Sequence, residues 1–236
     1  IPAAWNDLVG FKTTHGRLSL EGVVPLALKF DTFGPLCRSV EDAALLTAAL
    51  EGSKAPDLRG ASLKGRRLAI IETVLMEGLR DAPKAAFALA VAKLEAAGAI
   101  IEVIEVPAVQ QALDVSGMLI TCEAYGLWMD VIEAAPDKMY EEILRRFRLG
   151  RDCLGSEYVA SWAKLDVARQ AYDASTAGYD AVISPSSAIM PPNLKRLNTD
   201  HKYYVSENLL ALRNTRIGNL SDAVDRKRIR AISPVH

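Results

Sequence analysis

The sequence predicts an α/β protein with a mixed, mostly parallel β-sheet flanked by helices. Three observations carry this. A strand, an Ala-rich helix and a second strand follow one another within residues 67–106, and such a β-α-β unit implies parallel pairing with a right-handed crossover. A long helical stretch, residues 108–177, separates that unit from a third apolar run at 180–184. Half of the 236 residues are hydrophobic and 24% are charged, enough apolar material for a core and too little charge excess for disorder.

Glycine, proline and threonine punctuate the first forty residues. Residues 7–11 and 22–28 read as short strands or extended segments joined by a turn through Thr13, Thr14, His15 and Gly16. The period then changes. Ser39 is a candidate N-cap, Glu41 and Asp42 stand in the first turn where carboxylates suit the helix dipole, and Gly52 closes the helix. Ala43, Leu45, Leu46, Ala49 and Leu50 are its expected apolar face. Residues 54–65 are polar and read as a surface loop. The first strand of the β-α-β unit spans 67–71, its helix 82–97 with Gly98 as cap, and its second strand 99–106. Glu102 and Glu105 interrupt that second strand and place it near a sheet edge. Helices are expected near 110–134, 137–149 and 156–177, broken at Pro136 and at 150–155. After the strand at 180–184, Pro191 and Pro192 start an extended loop, and a last helix covers roughly 203–214.

Basic and acidic side chains nearly cancel, 28 against 29, so no strong field draws nucleic acid or an anionic membrane. The longest uncharged stretch, 181–194, holds three prolines and is too short to span a bilayer. Cys37, Cys122 and Cys153 are odd in number and widely spaced, and His15, His201 and His236 form no H-x-x-x-H pair. Neither a disulfide framework nor a structural zinc site is expected, and a reduced, cytoplasmic protein is the economical reading. No nucleophile elbow, Walker loop or dinucleotide fingerprint is present. The acid pairs Glu41–Asp42 and Glu141–Glu142 and the basic group Arg145, Arg146 and Arg148 suit the ends of their helices without any catalytic role.

The opening fifty residues carry more. Ile1-Pro2-Ala3-Ala4, Val9-Gly10-Phe11-Lys12-Thr13-Thr14-His15-Gly16-Arg17, Gly22-Val23-Val24-Pro25-Leu26-Ala27, Phe30-Asp31-Thr32-Phe33-Gly34-Pro35 and Arg38-Ser39-Val40-Glu41-Asp42-Ala43-Ala44 resemble, in order and spacing, the motifs of the amidase signature family. Tyr179-Asp180-Ala181-Val182-Ile183-Ser184-Pro185 and Asn214-Thr215-Arg216-Ile217-Gly218-Asn219 are more loosely similar to later segments of it. The resemblance covers residues 1–220, with a variable helical region at about 108–177. Residues 221–236, including the basic run Asp225-Arg226-Lys227-Arg228-Ile229-Arg230, form an atypical C-terminal tail.

The resemblance implies hydrolysis of an amide C–N bond through an acyl-enzyme, by a Ser–cis-Ser–Lys triad without metal or organic cofactor. A serine hydroxyl needs a base to take its proton, and a lysine serves as that base at neutral pH only when burial keeps it uncharged. In the family the nucleophile lies just upstream of the position that Ile1 takes, so the triad and its oxyanion loop are expected outside this chain. No catalytic residue is assigned: Lys12, Ser19 and Ser39 sit in motifs that serve other purposes. The fragment alone is expected to be inactive.

Two substrate-side residues follow from the resemblance. Ile1 would face an apolar acyl pocket, or else pack as a core residue under the nucleophile loop. Arg17 would pair with a carboxylate-bearing substrate at the rim, or else hold its own loop's carbonyls. Asp31 is expected to accept hydrogen bonds from the turn after it. Trp128, Met129, Tyr140, Tyr158 and Trp162 are expected to pack in the core, with a substrate channel as the alternative. The partner implied is a small-molecule amide, and a homodimer is compatible. The alternatives are the A subunit of a glutamyl-tRNA amidotransferase and a non-catalytic remnant of the fold.

Overall fold

The computed structural model describes residues 1–221; the basic run at 225–230 lies outside the described residues. The elements in chain order are α1 (Pro2–Trp5), β1 (Val9–Gly10), β2 (Leu36–Cys37), α2 (Val40–Glu51), β3 (Arg67–Ile71), α3 (Asp81–Ala96), β4 (Ile100–Ile104), α4 (Ala108–Ala134), α5 (Glu141–Arg148), α6 (Gly155–Thr176), β5 (Ala181–Ile183), α7 (Leu194–Thr199) and α8 (His201–Leu220).

Three strands form a parallel sheet in the order β4-β3-β5, with Arg67 opposite Ile100 and Leu68 opposite Ala181. Side chains alternate across it, as strand geometry requires. Leu68 and Ile70 of β3 meet Phe87, Val91 and Leu94 of α3 on one face. Ala69 and Ile71 point the other way, into the larger core with Leu119 of α4, Leu165 and Tyr172 of α6, and Ile217 and Leu220 of α8. The result is a helix–sheet–helix sandwich. β4 is an edge strand, as its glutamates predict. Glu102 accepts hydrogen bonds from Arg67 and from the Tyr179 hydroxyl, and these hold its carboxyl below the ordinary range, the Arg67 bond contributing most.

Helix α2 is capped as the sequence predicts. Ser39 Oγ accepts from Asp42 N at 3.0 Å, and Gly52 takes the left-handed conformation at φ 65°. Ser39→Ala should therefore cost about 1 kcal/mol, read as a small fall in the urea midpoint; no change would mean that water caps the helix equally well.

The orientation of α2 differs from the expected one. Ala43, Thr47 and Ala48 are buried, while Leu45, Leu46 and Leu50 are exposed. The helix lies against the short β1–β2 ribbon, which favours its small side chains, so the leucines turn outward. The ribbon itself is a correction. β1 pairs antiparallel with β2, Val9 opposite Cys37, whereas residues 22–28 hold no strand and run as bends and irregular backbone between turns.

Two helical segments exceed expectation. Asn193 caps the short α7 inside the predicted loop, and α8 runs on to Leu220 because its buried face, Tyr204, Glu207, Ala211, Asn214, Ile217 and Leu220, keeps helical spacing through two polar residues. Helix α4 is long and apolar enough to cross a membrane by length and composition alone. It packs along α6, α5 and α8 and carries Asp114, Glu123, Asp130 and Glu133.

The cysteine expectation is also corrected. Cys122 and Cys153 form a disulfide with Cα atoms 6.3 Å apart, and Cys37 is a buried free thiol. Sequence spacing hides this pair, because the turn before α6 folds back onto the middle of α4.

Candidate functional site

In open α/β sheets ligands bind beyond the carboxyl ends of the strands. Here two loops leave that margin: a 3-10 turn, Val74–Met76, after β3, and residues 184–193 after β5. Helix α8 lies across both. Buried Asn214 donates through Nδ2 to the carbonyl oxygens of Leu75, at 2.9 Å, and Pro185, at 2.8 Å. Arg213 adds bonds to the carbonyls of Leu75 and Glu77, and burial pushes its guanidinium below the ordinary arginine value.

Two turns back along the same face, Glu207 forms an ion pair with Arg80. Arg80 also donates its backbone N–H to Ala188 O at 3.0 Å. Glu207 is 4% exposed, and among the described residues its Oε2, like Thr73 Oγ1 just after β3, is buried without a hydrogen-bond partner. Buried oxygens of this kind are costly unless something donates to them.

The N-terminal motifs dock on this margin. Trp5 donates from Nε1 to Ile189 O at 3.1 Å and packs with Leu79 and Leu210 around Ala188, Ile189 and Ala211. Behind it the motif segments lock onto one another. Thr13 Oγ1 donates to Phe33 O at 2.7 Å, and Phe11 N to Pro35 O at 3.0 Å. Gly34 is required there, since a Cβ would stand 1.9 Å from Phe11 O. The aliphatic stem of Lys12 passes Gly218 of α8. Asp31 accepts from the N–H groups of Leu26 and Ala27, so it closes the turn before it, a correction to the expected direction.

Ile1 heads α1, partly buried, with its carbonyl accepting from Trp5 N. The Arg17 guanidinium is held by the carboxylate of Glu51 on α2, and that hydrogen bond keeps Glu51 below the ordinary carboxyl range. Arg17 thus pairs neither with its own loop's carbonyls nor, as it stands, with an open pocket. Ile1 precedes the helix whose Trp5 touches the margin, and Arg17 is tied to Glu51 at the end of α2.

The aromatic residues of the helical region divide. Trp162 stacks on Phe30 with centroids 5.0 Å apart, and the Lys29 ammonium sits 4.7 Å from the Trp162 ring. Trp128 donates to Pro25 O at 2.8 Å, and Tyr140 meets Tyr204 edge-on. Met129 and Tyr158 instead line a cleft of about 330 Å³, together with Cys122, Tyr125, Arg151 and Cys153. Ile1 and Arg17 do not line it. Among the described residues no three His, Cys, Asp or Glu side chains converge as a metal site would require.

Trp5, Arg80 and Glu207 stand out in no motif of the sequence. The available signal was Glu207 and Asn214, seven residues apart on one helical stripe, where two polar residues stand in line with buried apolar ones.

Comparison with known proteins gives one consistent picture. The model of the family described as Amidase matches residues 1–226. The chain is 28% identical over 247 aligned residues to the A subunit of glutamyl-tRNA(Gln) amidotransferase from Exiguobacterium sibiricum, covering 89% of this chain and 52% of that protein. It is 29% identical to 2-amino-5-chloromuconic acid deaminase of Comamonas testosteroni, covering 93% and 48%. Among solved structures, a crystal structure of an amidase superposes with a TM-score of 0.75 at 27% identity, over 82% of this chain and 44% of that one. Allophanate hydrolase of Kluyveromyces lactis superposes with a TM-score of 0.79 at 23% identity, over 94% and 37%, a likeness of fold. The chain spans about half the length of the curated relatives it matches.

Proposed function

The chain belongs to the amidase family, and from that premise we propose that it forms the substrate-side half of an amide-hydrolysing centre. The single observation that carries this is the docking of the N-terminal motifs, through Trp5, on the carboxyl margin of the parallel sheet. In this reading the chain shapes the pocket wall, and the reactive serine, its bridging serine and the lysine base come from polypeptide outside these residues. The outward leucines of α2, with Val24, Leu36 and Val40 also exposed, support further polypeptide packing on that side.

The chemistry divides accordingly. Attack on the amide carbonyl needs an activated hydroxyl and preorganised donors for the oxyanion, and neither role is assigned here. This chain contributes position: a wall made rigid by Asn214, with polar atoms of Thr73 and Glu207 near it. Ile1 and Arg17 are the proposed substrate contacts. Arg17 would act by exchanging Glu51 for a substrate carboxylate, so in the assembled enzyme Arg17→Ala should raise KM for a carboxylate-bearing amide and leave kcat unchanged. An unchanged KM would remove Arg17 from the site.

A fluorophosphonate probe tests the division directly. The 236-residue chain alone should show no covalent adduct by intact mass. An adduct on any of its serines would overturn the reading, because a nucleophile would then lie within it. Similarity to a glutamyl-tRNA(Gln) amidotransferase chain keeps a transamidating role as the second reading; co-purification with partner proteins and glutamine-dependent transamidation would favour it over free amide hydrolysis.

A further inference from the structure

Cys122 and Cys153 are brought together by backbone packing and not by proximity in the chain. They lie 31 residues apart, on α4 and on the turn before α6. Gly150 lets that turn close on the helix. A Cβ there would stand 2.0 Å from Thr121 O and 2.9 Å from Cys122 N, so the two backbones touch where only glycine fits. Cys153 follows a few residues later, within reach of the facing cysteine.

Four features make this pair accessible and consequential. Both cysteines are partly exposed and line the 330 Å³ cleft. Arg151 lines it too and pairs with Asp152 beside it, so the turn that carries Cys153 is polar and open to a reductant in solution. The preceding helix has its own anchors: Arg148 pairs with Glu133, Arg146 with Asn208, and Leu144 is buried. The turn itself is thinly held, with Leu149, Arg151, Asp152 and Leu154 all exposed. The disulfide and the close approach at Gly150 are thus what hold the turn to α4, while α5 has anchors of its own.

We propose that Cys122–Cys153 is a reversible redox latch on the cleft wall. Oxidised, it pins the turn at 149–154 to α4 and holds the cleft in its present shape. Reduced, the turn detaches and the cleft opens. The reductant is a small dithiol. Its thiolate attacks one sulfur, giving a mixed disulfide and releasing the other cysteine as thiolate; its second thiol then displaces the remaining cysteine. The sum is two cysteine thiols and one oxidised dithiol, with two electrons and two protons passed to the protein. The inference goes beyond the amide chemistry and does not depend on it.

Thiol counting and proteolysis test it together on the 236-residue chain. After incubation with glutathione disulfide and alkylation in denaturant, one of the three cysteines, Cys37, should react, and all three after dithiothreitol. In native buffer, trypsin should cut after Arg151 at least about tenfold faster in the reduced form, since local opening governs cleavage. Cys122→Ser should cleave at the fast rate under both conditions, and Cys37→Ser should keep the difference. If Cys122→Ser does not fold, the oxidised and reduced wild-type chain still decide. Three reactive thiols after oxidation, or equal cleavage of the verified oxidised and reduced forms, would overturn the latch.

Discussion

Replacing Asn214 by leucine should lower the stability of the chain by about 3 kcal/mol, equivalent to a fall of about 6–12 °C in Tm for a domain of this size. The side chain is 4% exposed, and its one amide nitrogen serves the carbonyls of both Leu75 and Pro185. Leucine has the same branched shape with bulkier methyl ends, so no cavity forms and any steric cost adds to the effect. The loss comes from three hydrogen bonds, the two that Nδ2 donates and the one that Oδ1 accepts from Arg213, and from the Pro185 carbonyl left facing an apolar group, whereas the Leu75 carbonyl keeps the Arg213 guanidinium. Asn214→Asp should be worse, because a carboxylate in that position would present oxygen to oxygen. Urea unfolding of the three proteins side by side measures both effects. If the leucine variant fell within about 0.5 kcal/mol of wild type, as ordinary surface changes do, Asn214 would not be the tie between the two loops.

Why Asn214 matters was only half legible in the sequence. The string around it stands out by its resemblance to a family segment, but the reading of the last helix stops there, since a polar residue in an apolar stripe looks like an end. The fold was clearest where the periods are clean. β3 and the helix after it were placed within a residue or two, because an apolar run, an alanine-rich helix and Gly98 follow in order. The cap at Ser39 was equally plain.

The orientation of α2 was not legible. Its leucines and its alanines both recur at helical spacing, and only contact with the β1–β2 ribbon selects the small side chains for the inside. The disulfide was hidden for a related reason: it depends on where the turn before α6 crosses α4, a tertiary fact with no local signature. The same holds for the polar groups at the sheet margin. Arg80 and Glu207 are separated by 127 residues, and neither belongs to a motif.

That pair supports the second large prediction. Arg80→Met should destabilise the chain by about 3 kcal/mol, the lower end expected for stripping the partner from a buried charge. The asymmetry of the pair sets the size. Glu207 has a side chain 5% exposed, whereas Arg80 is 49% exposed, so the arginine can be rehydrated and the glutamate cannot. With Arg80 gone, neither carboxylate oxygen of Glu207 would have a donor among the described residues, since Oε2 already lacks one there. Arg80→Met with Glu207→Leu should then recover stability to within about 1 kcal/mol of wild type, because well-packed apolar groups replace such a pair at little cost. Urea midpoints for the two single variants and the double variant close the cycle. Additive losses in the double variant would mean that the two side chains act independently, and the ion pair would no longer account for the burial of Glu207. Recovery of stability combined with weaker substrate binding in the assembled enzyme would instead leave Glu207 as a carboxylate kept at the margin for recognition, at a cost to the fold.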